Sequence, residues 1–468
     1  MPQQFQSQIK RHVHLVGMCG AGMKGLAEVL IDRGWYVCGS DASPNDTMVD
    51  HLERLGGQVN HGHAAENVSD QTDLLVYSPA VPESNCERQI AELRGIPQWS
   101  YIDALRELNR DNECVAVVGT HGKSSTTALL AHILIETGYD PTVFCGAQSI
   151  SNGRNGRGGG GRFTVMEACE YRHHFLNVPA RHACLLSIEP DHFDCFPTFE
   201  SGLDAYHQFV GQLPAEGSLV VNADCPGVNQ VLRRFRDRTS VKFSLKDRTA
   251  TWFAKNCVVD GDRQSFEIVQ AGQNPLVVNM RQVGRHVVAN ALAAISMAVQ
   301  LGVRLADACA TLATFQGLKR RFERMVAPNG LQIVDDYAHH PTEIQATLET
   351  ARNVFPGHEL VCVFQPHQVS RTESLMEGFA DSLCLADRVY VLPVFGARES
   401  CMEKFEPTSR ILVDRISHSG TPARYISTLD RVWPTLDTDA AVSASHIVLT
   451  LGAGDITRIN NEFYRTIR

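Results

Sequence analysis

The chain lacks the features that mark several large classes of protein. Its 468 residues contain no uncharged apolar run of about 18 residues, so no membrane span is expected. The polar N-terminus leads directly into an apolar strand pattern, without the apolar core of a secretion signal. The formal net charge of −9 lacks the basic excess that is typical of nucleic-acid-binding proteins. We therefore expect small-molecule partners, with no nucleic acid and no membrane span.

The patterns that hold metals or disulfides are also missing. None of the 14 cysteines forms a C-x-x-C pair, and no two histidines have the H-x-x-x-H spacing of a helical zinc pair. Most of the cysteines stand singly in apolar runs, which is typical of reduced, buried cysteines in the cytoplasm. The sequence therefore predicts a cytoplasmic protein and leaves both a monomer and a homodimer open.

Short apolar runs alternate with helical patterns along most of the chain, which favours an α/β fold with parallel sheets. Most of these runs end in Gly, Asp, Glu, His, Ser or Asn, and ligands collect at the carboxyl ends of parallel strands. Length and loop positions predict three domains, at 1–110, 111–318 and 319–468. The predicted strands are 13–17, 74–80, 115–119, 164–169, 183–188, 218–224, 331–337, 360–367, 388–395 and 446–455.

One segment is of low complexity. Residues 151–162, SNGRNGRGGGGR, contain six glycines and three arginines, a composition that does not build a core element. We expect a mobile surface loop here, and contact of its arginines with phosphate is the alternative.

The first glycine-rich loop lies between a strand and a helix near the N-terminus. A dinucleotide fingerprint needs G-x-G-x-x-G, but position 19 is Cys, and the glycines are Gly17, Gly20 and Gly22. Backbone amides at such a helix start can still bind a pyrophosphate, and Asp41 ends the next strand, where an acid could meet a ribose or base. Nucleotide binding is therefore expected here, whereas NAD is not established. A strand-to-helix turn without a ligand is the alternative.

The second glycine-rich loop, GTHGKSS at residues 119–125, lies between a buried strand and an amphipathic helix. Lys123 can neutralise phosphate charge, and the hydroxyl of Ser124 can coordinate Mg²⁺. Acidic residues follow two later strands and could complete a metal site if they lie on the same sheet edge; capping of helix starts is the alternative. These candidates are Glu167, Glu170, Glu189, Asp191, His192 and Asp194.

Several longer blocks together resemble the Mur ligase family along nearly the whole chain, most closely its alanine-adding branch. The blocks include HLVGMCGAGMKGLAEVL, GHAAEN, GTHGKSSTT, IEPDHFD, NADCP, VDDYAHHPTEI, FQPHQVSRT and LGAGDI. EACEYRHHFL and FGARE are similar to the version found in many Gram-positive bacteria. The resemblance implies a Rossmann-like N-terminal domain for the UDP-substrate and a P-loop-type central domain for ATP. It also implies a Rossmann-like C-terminal domain that serves the amino acid and closes over ATP.

The resemblance also implies roles for individual residues. The catalytic set is Lys123, Glu167, His192, Arg321 and His340. The metal set is Ser124, Glu167 and His192. The ATP set is Gly119, Thr120, His121, Gly122, Lys123, Ser124, Ser125, His286, Asn290, Arg321 and Asp336. The UDP-substrate set is Gly17, Gly20, Ala21, Gly22, Asp41, Ser78, His367 and Arg371.

The activity implied by the resemblance is ATP-dependent joining of L-alanine to UDP-N-acetylmuramate in peptidoglycan synthesis, with ATP and Mg²⁺ as cofactors. The chain departs from the family pattern at Cys19, Ser124, Val287 and Gln368. No lysine lies between His192 and Lys242, so the carbamylated lysine of some related ligases is not available there.

Three other functions remain open on the sequence. A sister ligase could add a recycled peptide or another amino acid to the same sugar nucleotide. An NAD-linked oxidoreductase could use the first glycine loop, although Cys19 and the second loop disfavour it. A non-catalytic nucleotide sensor is disfavoured because Lys123, Ser124, Glu167 and His192 are all present.

Overall fold

The computed structural model describes residues 11–44, 46–270, 273–327, 329–397 and 399–460. Each of three sheets lies in a separate part of this chain, with helices packed against it. The predicted absence of a secretion signal concerns residues 1–10, and Arg398 belongs to the FGARE block; both lie outside the described residues. No helix within the described ranges has the length and apolar character needed to cross a membrane.

The N-terminal sheet has five parallel strands in the order β3-β2-β1-β4-β5. Strand β1 is central. The chain first adds β2 and β3 on one side of β1 and then β4 and β5 on the other, so the first glycine loop, which follows β1, lies at the switch point of the sheet. The strands are β1 (His12–Val16), β2 (Tyr36–Asp41), β3 (Gln58–His61), β4 (Leu74–Tyr77) and β5 (Gln98–Ser100). The helices are α1 (Ala21–Asp32), α2 (Asp46–Arg54), α3 (Cys86–Leu93) and α4 (Tyr101–Leu108).

The central sheet has ten strands in the order β15-β14-β13-β12-β11-β10-β6-β9-β7-β8. Its strands are β6 (Glu113–Val118), β7 (Thr142–Phe144), β8 (Gly156–Arg157), β9 (Phe163–Glu167), β10 (Ala180–Leu185), β11 (Leu219–Asn222), β12 (Val241–Ser244), β13 (Trp252–Asp260), β14 (Arg263–Gln270) and β15 (Leu276–Met280). Its helices are α5 (Lys123–Glu136), α6 (Phe199–Gln212), α7 (Pro226–Leu232), α8 (Arg285–Gln300) and α9 (Leu305–Thr311).

Two buried cores cover the faces of the central sheet. One packs α5 and α8 against β6 and β10, and the small side chains of α8, such as Ala291 and Ala294, let the two helices lie close together. The other packs α6 and α7 against the opposite face. The core therefore fixes the start of α5, where the phosphate loop lies.

The expectation of parallel sheets is wrong at both edges of the central sheet. Strands β13, β14 and β15 pair antiparallel, as does β7 with β8. Gly261-Asp262 connects β13 to β14, and a two-residue loop that begins with glycine suits a tight hairpin turn. The hairpin could therefore have been found from the sequence.

The expectation of a mobile loop at 151–162 is also wrong. Part of the segment forms β8, and the segment packs along α1. Lys24 and Glu28 of α1 are fully buried beneath it, and the Lys24 ammonium donates to Asn155 Oδ1 at 3.0 Å while Glu28 accepts from the Asn155 amide at 2.8 Å. A Cβ atom on Gly156 would lie 2.0 Å from the carbonyl oxygen of Gly25, so only glycine permits this contact.

The C-terminal sheet has six strands in the order β16-β17-β21-β18-β19-β20, and only the β16–β17 pair among the described strands is antiparallel. Its strands are β16 (Glu323–Val326), β17 (Gln332–Asp336), β18 (Glu359–Phe364), β19 (Arg388–Val391), β20 (Ala423–Tyr425) and β21 (His446–Leu451). Its helices are α10 (Pro341–Val354), α11 (Val369–Ser374), α12 (Met376–Leu383), α13 (Phe405–His418) and α14 (Val432–Thr438).

Candidate active site

The GTHGKSS loop lies between β6 and α5. Gly119 and Gly122 have positive φ angles of 138° and 81°, in the range that favours glycine. A Cβ on Gly122 would lie 2.4 Å from Asn290 Oδ1, and one on Gly119 would lie 2.8 Å from the Ser187 amide nitrogen. The glycines therefore let the backbone turn closely against β10 and α8, and this leaves the loop amides at the N-terminus of α5, where a phosphate binds well.

Lys123 begins α5 and points back across its own loop. Its ammonium donates to the carbonyl oxygens of Gly119 and Thr120 at 2.6 and 3.1 Å and pairs with Glu170 Oε2 at 3.0 Å. Burial disfavours the charge, but the carboxylate of Glu170 outweighs that effect and raises the pKa of Lys123. The lysine therefore stays cationic at the phosphate loop.

The predicted metal set of Ser124, Glu167 and His192 is arranged differently from the expectation. His192 Nε2 lies 3.5 Å from Glu170 Oε1, so Glu170 joins His192 to Lys123. Glu167 ends β9 and accepts a hydrogen bond from the Gly146 amide at 2.6 Å. The acid bonded to His192 is therefore Glu170, three residues beyond the one that the sequence favoured.

The donor chemistry of this group nevertheless suits Mg²⁺. Ser124 and two carboxylates supply the oxygen ligands that this ion prefers. Within the part of the chain that the structure describes, His192 Nδ1 is buried and has no hydrogen-bond partner. The residues present are therefore compatible with the expected ion.

The C-terminal domain brings a second cation to the phosphate loop. Arg321 Nη2 lies 3.4 Å from Ser124 Oγ, and its guanidinium lies over the Tyr337 ring at 4.9 Å. Asp336, at the end of β17, accepts hydrogen bonds from the amides of Phe322 and Ala338 at 2.7 and 2.8 Å. Burial raises the pKa of Asp336 to about 6 despite the charge of Arg321. Asp336 therefore fixes the chain next to Arg321.

A cavity of about 950 Å³ lies between the central and C-terminal domains, a size suited to a nucleotide. It runs from the phosphate loop to the start of α8. Its wall brings together many of the residues predicted to bind ATP: His121, Gly122, Ser125, His286, Asn290, Arg321 and Asp336. Burial lowers the pKa of His286 to about 4, so this ring is neutral. Val287 also lines the cavity, although part of its side chain belongs to the core.

Acidic and histidine side chains bridge the same two domains. His121 Nδ1 donates to Glu343 Oε1 at 2.9 Å, and the Thr342 hydroxyl donates to Glu189 Oε2 at 2.6 Å. Burial disfavours the charge on His121, but the two carboxylates raise its pKa to about 10. His340 lies beside it with ring centroids 4.6 Å apart.

His340 is the N-cap residue of α10 and is almost completely buried. Burial and the neighbouring charge of His121 lower the pKa of His340 to about 4. The ring is therefore neutral at pH 7 and can accept a proton.

Arg371 and His367 lie at the same junction. The Arg371 guanidinium, 1% exposed, donates to Asp191 Oδ1 at 2.7 Å and contacts His367 Nδ1 at 2.8 Å. Burial would raise the pKa of Asp191, but the charge of Arg371 lowers it well below its usual range. Gln368, which departs from the family pattern, follows His367 in the chain. Its side chain is buried, and its backbone has a φ of 66°.

Several non-glycine residues at the site have left-handed backbone conformations, which cost free energy and often occur at functional sites. His192 has a φ of 52°, and Arg320 and Phe322 have φ angles of 56° and 50° on either side of Arg321. The surrounding contacts must therefore compensate for the unfavourable backbone conformations at His192 and on both sides of Arg321.

The first glycine loop lies at the carboxyl end of β1. Cys19 donates its amide to Asp41 Oδ2 at 2.9 Å, and Asp41 Oδ1 accepts from Ser43, so Asp41 shapes the loop. Ser78 packs against Gly17, and a Cβ there would lie 3.0 Å from that of Ser78. The Tyr101 ring covers Gly22, and burial, with a contribution from the charge of Glu167, raises the pKa of Tyr101. Gly20 and Ala21 of this loop are exposed.

The sequence does not show which acids pair with the predicted cations. Glu170, Glu189 and Asp191 are candidates there only because they follow strands, and no pattern in the sequence indicates Glu343. Their partners lie 47 to 222 residues away in the chain, so no local pattern joins them.

Comparison with known proteins covers all three parts of the chain. The model of the Mur ligase family catalytic domain matches residues 12–112, the Mur ligase middle domain matches 117–298, and the Mur ligase glutamate ligase domain matches 320–454.

Similar curated proteins extend over nearly the full length. A UDP-N-acetylmuramate–L-alanine ligase of Renibacterium salmoninarum is 36% identical and covers 95% of this chain and 93% of its own. One of Rhizobium etli is 38% identical and covers 95% and 94%. The UDP-N-acetylmuramate–alanine ligase structure from Thermotoga maritima aligns with a TM-score of 0.80 at 28% identity, over 98% of this chain and all of that one. A murein peptide ligase from Psychrobacter arcticus shares the fold, with a TM-score of 0.70 at 23% identity over 98% of both chains.

Proposed function

The chain belongs to the Mur ligase family, and from this membership we infer that it is an ATP-dependent ligase that joins L-alanine to UDP-N-acetylmuramate. The three-domain α/β fold supports this inference. The observation that carries it furthest is that Arg321 of the C-terminal domain reaches Ser124 Oγ in the phosphate loop of the central domain, next in sequence to Lys123. The product is a precursor of peptidoglycan, and we propose that the reaction takes place in the cytoplasm.

We propose that residues 1–110 bind the UDP-substrate, residues 111–318 bind ATP and residues 319–468 serve the amino acid and close over ATP. In the first domain, Gly17, Gly20, Ala21 and Gly22 would hold the pyrophosphate through backbone amides, with Ser78 beside them. Asp41 would act mainly by holding the loop, since both of its oxygens accept backbone hydrogen bonds. His367 and Arg371 would face the substrate from the C-terminal domain.

The first chemical step needs two anions to meet. The substrate carboxylate attacks the γ-phosphorus of ATP, the bond to the β-phosphate oxygen breaks, and an acyl phosphate and ADP form. Lys123 and Arg321 would stabilise the charge on the transferred phosphoryl group, and amides of the 119–125 loop would hold the other phosphates. Mg²⁺, when bound through Ser124, Glu167, Glu170 and His192, would neutralise phosphate charge at the same place.

The second step forms the amide. The amine of L-alanine attacks the acyl carbon, the bond to the phosphate oxygen breaks, and inorganic phosphate leaves. The attacking nitrogen must lose a proton, and His340 is held neutral by burial, so it can accept one. His121 keeps its own proton through Glu343 and Glu189 and would therefore support the phosphates as a cation.

Phosphate release tests the inferred reaction. The purified chain is given ATP, Mg²⁺ and UDP-N-acetylmuramate, together with one of several amino acids or a tripeptide. We expect L-alanine to give the fastest release, with the amide product visible by mass spectrometry. Faster turnover with the tripeptide would identify the sister peptide ligase, and oxidation of NADH with no phosphate release would identify an oxidoreductase.

A further inference from the structure

A cluster separate from the predicted Mg²⁺ residues lies where the phosphate loop meets the C-terminal domain. We propose that His121, Glu189 and His340 form a binding site for a borderline divalent transition metal such as Zn²⁺. Their ligand atoms all lie within 4.8 Å of one another. Two imidazoles and one carboxylate form a set that binds Zn²⁺ in a tetrahedral site with a fourth position open.

The spacing is close to that of a bound ion. A tetrahedral zinc site with bonds of about 2.0–2.2 Å places its donor atoms about 3.4 Å apart. His121 Nε2 lies 3.4 Å from Glu189 Oε2, and His340 Nδ1 lies 3.9 Å from the same oxygen. Small rotations of the side chains would therefore bring all three donors to one ion.

The outer contacts fix the orientation of both histidines. Nδ1–H of His121 donates to Glu343, which turns Nε2 towards Glu189. Nε2–H of His340 donates to the Pro190 carbonyl oxygen at 3.3 Å, which leaves Nδ1 as the acceptor. A ligand histidine that donates its other nitrogen to a carboxylate or carbonyl is the usual arrangement in metal sites. Glu189 is itself oriented by the Thr342 hydroxyl.

The ligands are also available to an ion. His121 Nε2 is buried and makes no hydrogen bond within the described residues, and Glu189 is about one third exposed, so the site opens to solvent. His340 Nδ1 accepts a long 3.3 Å hydrogen bond from the Thr342 amide, which a metal bond would replace. The ion takes the place of the proton on His121 Nε2, and that proton goes to solvent.

The site links two domains. His121 belongs to the phosphate loop and Glu189 follows β10, whereas His340 begins α10 of the C-terminal domain. A bound ion therefore holds the two domains together and fixes the phosphate loop, so Zn²⁺ inhibits turnover at saturating Mg²⁺ and ATP. This differs from the catalytic Mg²⁺, which prefers oxygen ligands.

Cobalt spectroscopy on the full chain without nucleotide tests the site. We expect Co²⁺ to give the intense visible absorption of a tetrahedral ion, and Zn²⁺ to remove it. Glu189→Gln and His340→Gln should weaken Co²⁺ binding at least about ten-fold. His182→Gln is the matched control, because His182 pairs with Glu113 at 3.2 Å at the other end of β10 and should bind as the unmodified chain does.

X-ray absorption of the Zn²⁺-loaded unmodified chain makes the test independent of how the variants fold. Two imidazoles and one carboxylate around zinc would support the site. A sulfur shell, which would come from the free cysteines, or equal Co²⁺ binding by all three variants would overturn it. Either failure leaves the alanine-dependent phosphate release unaffected, so it is distinguishable from failure of the inferred ligase reaction.

Discussion

At the scale of single residues, the active site consists of cations that each have a nearby acid. Lys123 pairs with Glu170, His121 with Glu343 and Arg371 with Asp191, and all three acids are buried or nearly so. An unpaired buried charge is costly, so these acids offset the cost of holding positive charge at the site. ATP would then meet cations that are already in place.

Variants of the Lys123–Glu170 pair can separate the effect of the Lys123 charge on activity from its effect on stability. Lys123→Met removes the cation and leaves the Glu170 carboxylate buried and unpaired. We expect phosphate release to fall by about 10²–10³-fold, because one preorganised charge at the transferred group is lost. We also expect the free energy of unfolding to fall by about 3–5 kcal/mol, which urea denaturation would measure.

The double variant Lys123→Met, Glu170→Gln separates the two effects. It removes both charges, so the stability should largely return while the activity stays lost. Lys242→Met, at an exposed position, is the control and should change neither quantity. If Lys123→Met kept full turnover, the assignment of the phosphate loop would be wrong.

The candidate site could be predicted from the sequence only where local motifs carry it. The 119–125 loop and His340 lie in the GTHGKSSTT and VDDYAHHPTEI blocks, Arg321 lies in RRFE at 320–323, and the structure brings them to one cleft. The sequence favoured Glu167, the last residue of β9, and could not show that the irregular backbone beyond it turns Glu170 towards Lys123. The cluster of His121, Glu189 and His340 spans three distant parts of the chain, so no spacing rule indicates it.

At the scale of elements, composition gave a wrong prediction for the glycine-rich segment 151–162. The composition indicates a solvated loop, yet the glycines serve a close approach to the backbone of α1. The sequence of α1 gives the better indication that something packs on this helix, because Lys24 and Glu28 lie on a face that would otherwise be apolar. Two charged residues on a buried helix face need polar partners, and the backbone and Asn155 of this segment supply them.

Gly156→Ala tests that contact. The added Cβ would lie 2.0 Å from the Gly25 carbonyl oxygen, so β8 must move away from α1. We expect the free energy of unfolding to fall by about 1–3 kcal/mol, as for an overpacked core. Amide hydrogen exchange in α1 should become faster.

Gly202→Ala is the matched control for this substitution. Gly202 lies in α6, and a Cβ there would meet its nearest atom at 4.0 Å. Alanine should therefore fit and raise helix stability by up to about 1 kcal/mol. If Gly156→Ala and Gly202→Ala had equal stability, the close contact of Gly156 with the backbone of α1 would be contradicted.

At the scale of the whole molecule, the alternation of strands and helices predicted the α/β class, which the three sheets with helices packed against them confirm. All ten predicted strands are present, with ends that shift by up to four residues. The relative position of the domains could not be predicted, because it depends on a few polar contacts across a cavity. The contacts of Thr342 with Glu189 and of Arg371 with Asp191 join the central and C-terminal domains around that cavity.

These contacts are few and polar, and such interfaces permit domain motion. We therefore expect the free protein to open and to become more compact when both ATP and UDP-N-acetylmuramate bind, with a smaller radius of gyration in solution scattering. Thr342→Val removes the hydrogen bond to Glu189 in the closed form and should raise the ATP concentration for half-maximal compaction roughly five-fold, or about 1 kcal/mol. Thr438→Val is the control, since its hydroxyl bonds within α14 and it should compact normally. An unchanged radius of gyration on adding both ligands would mean that the two domains do not move relative to each other when the ligands bind.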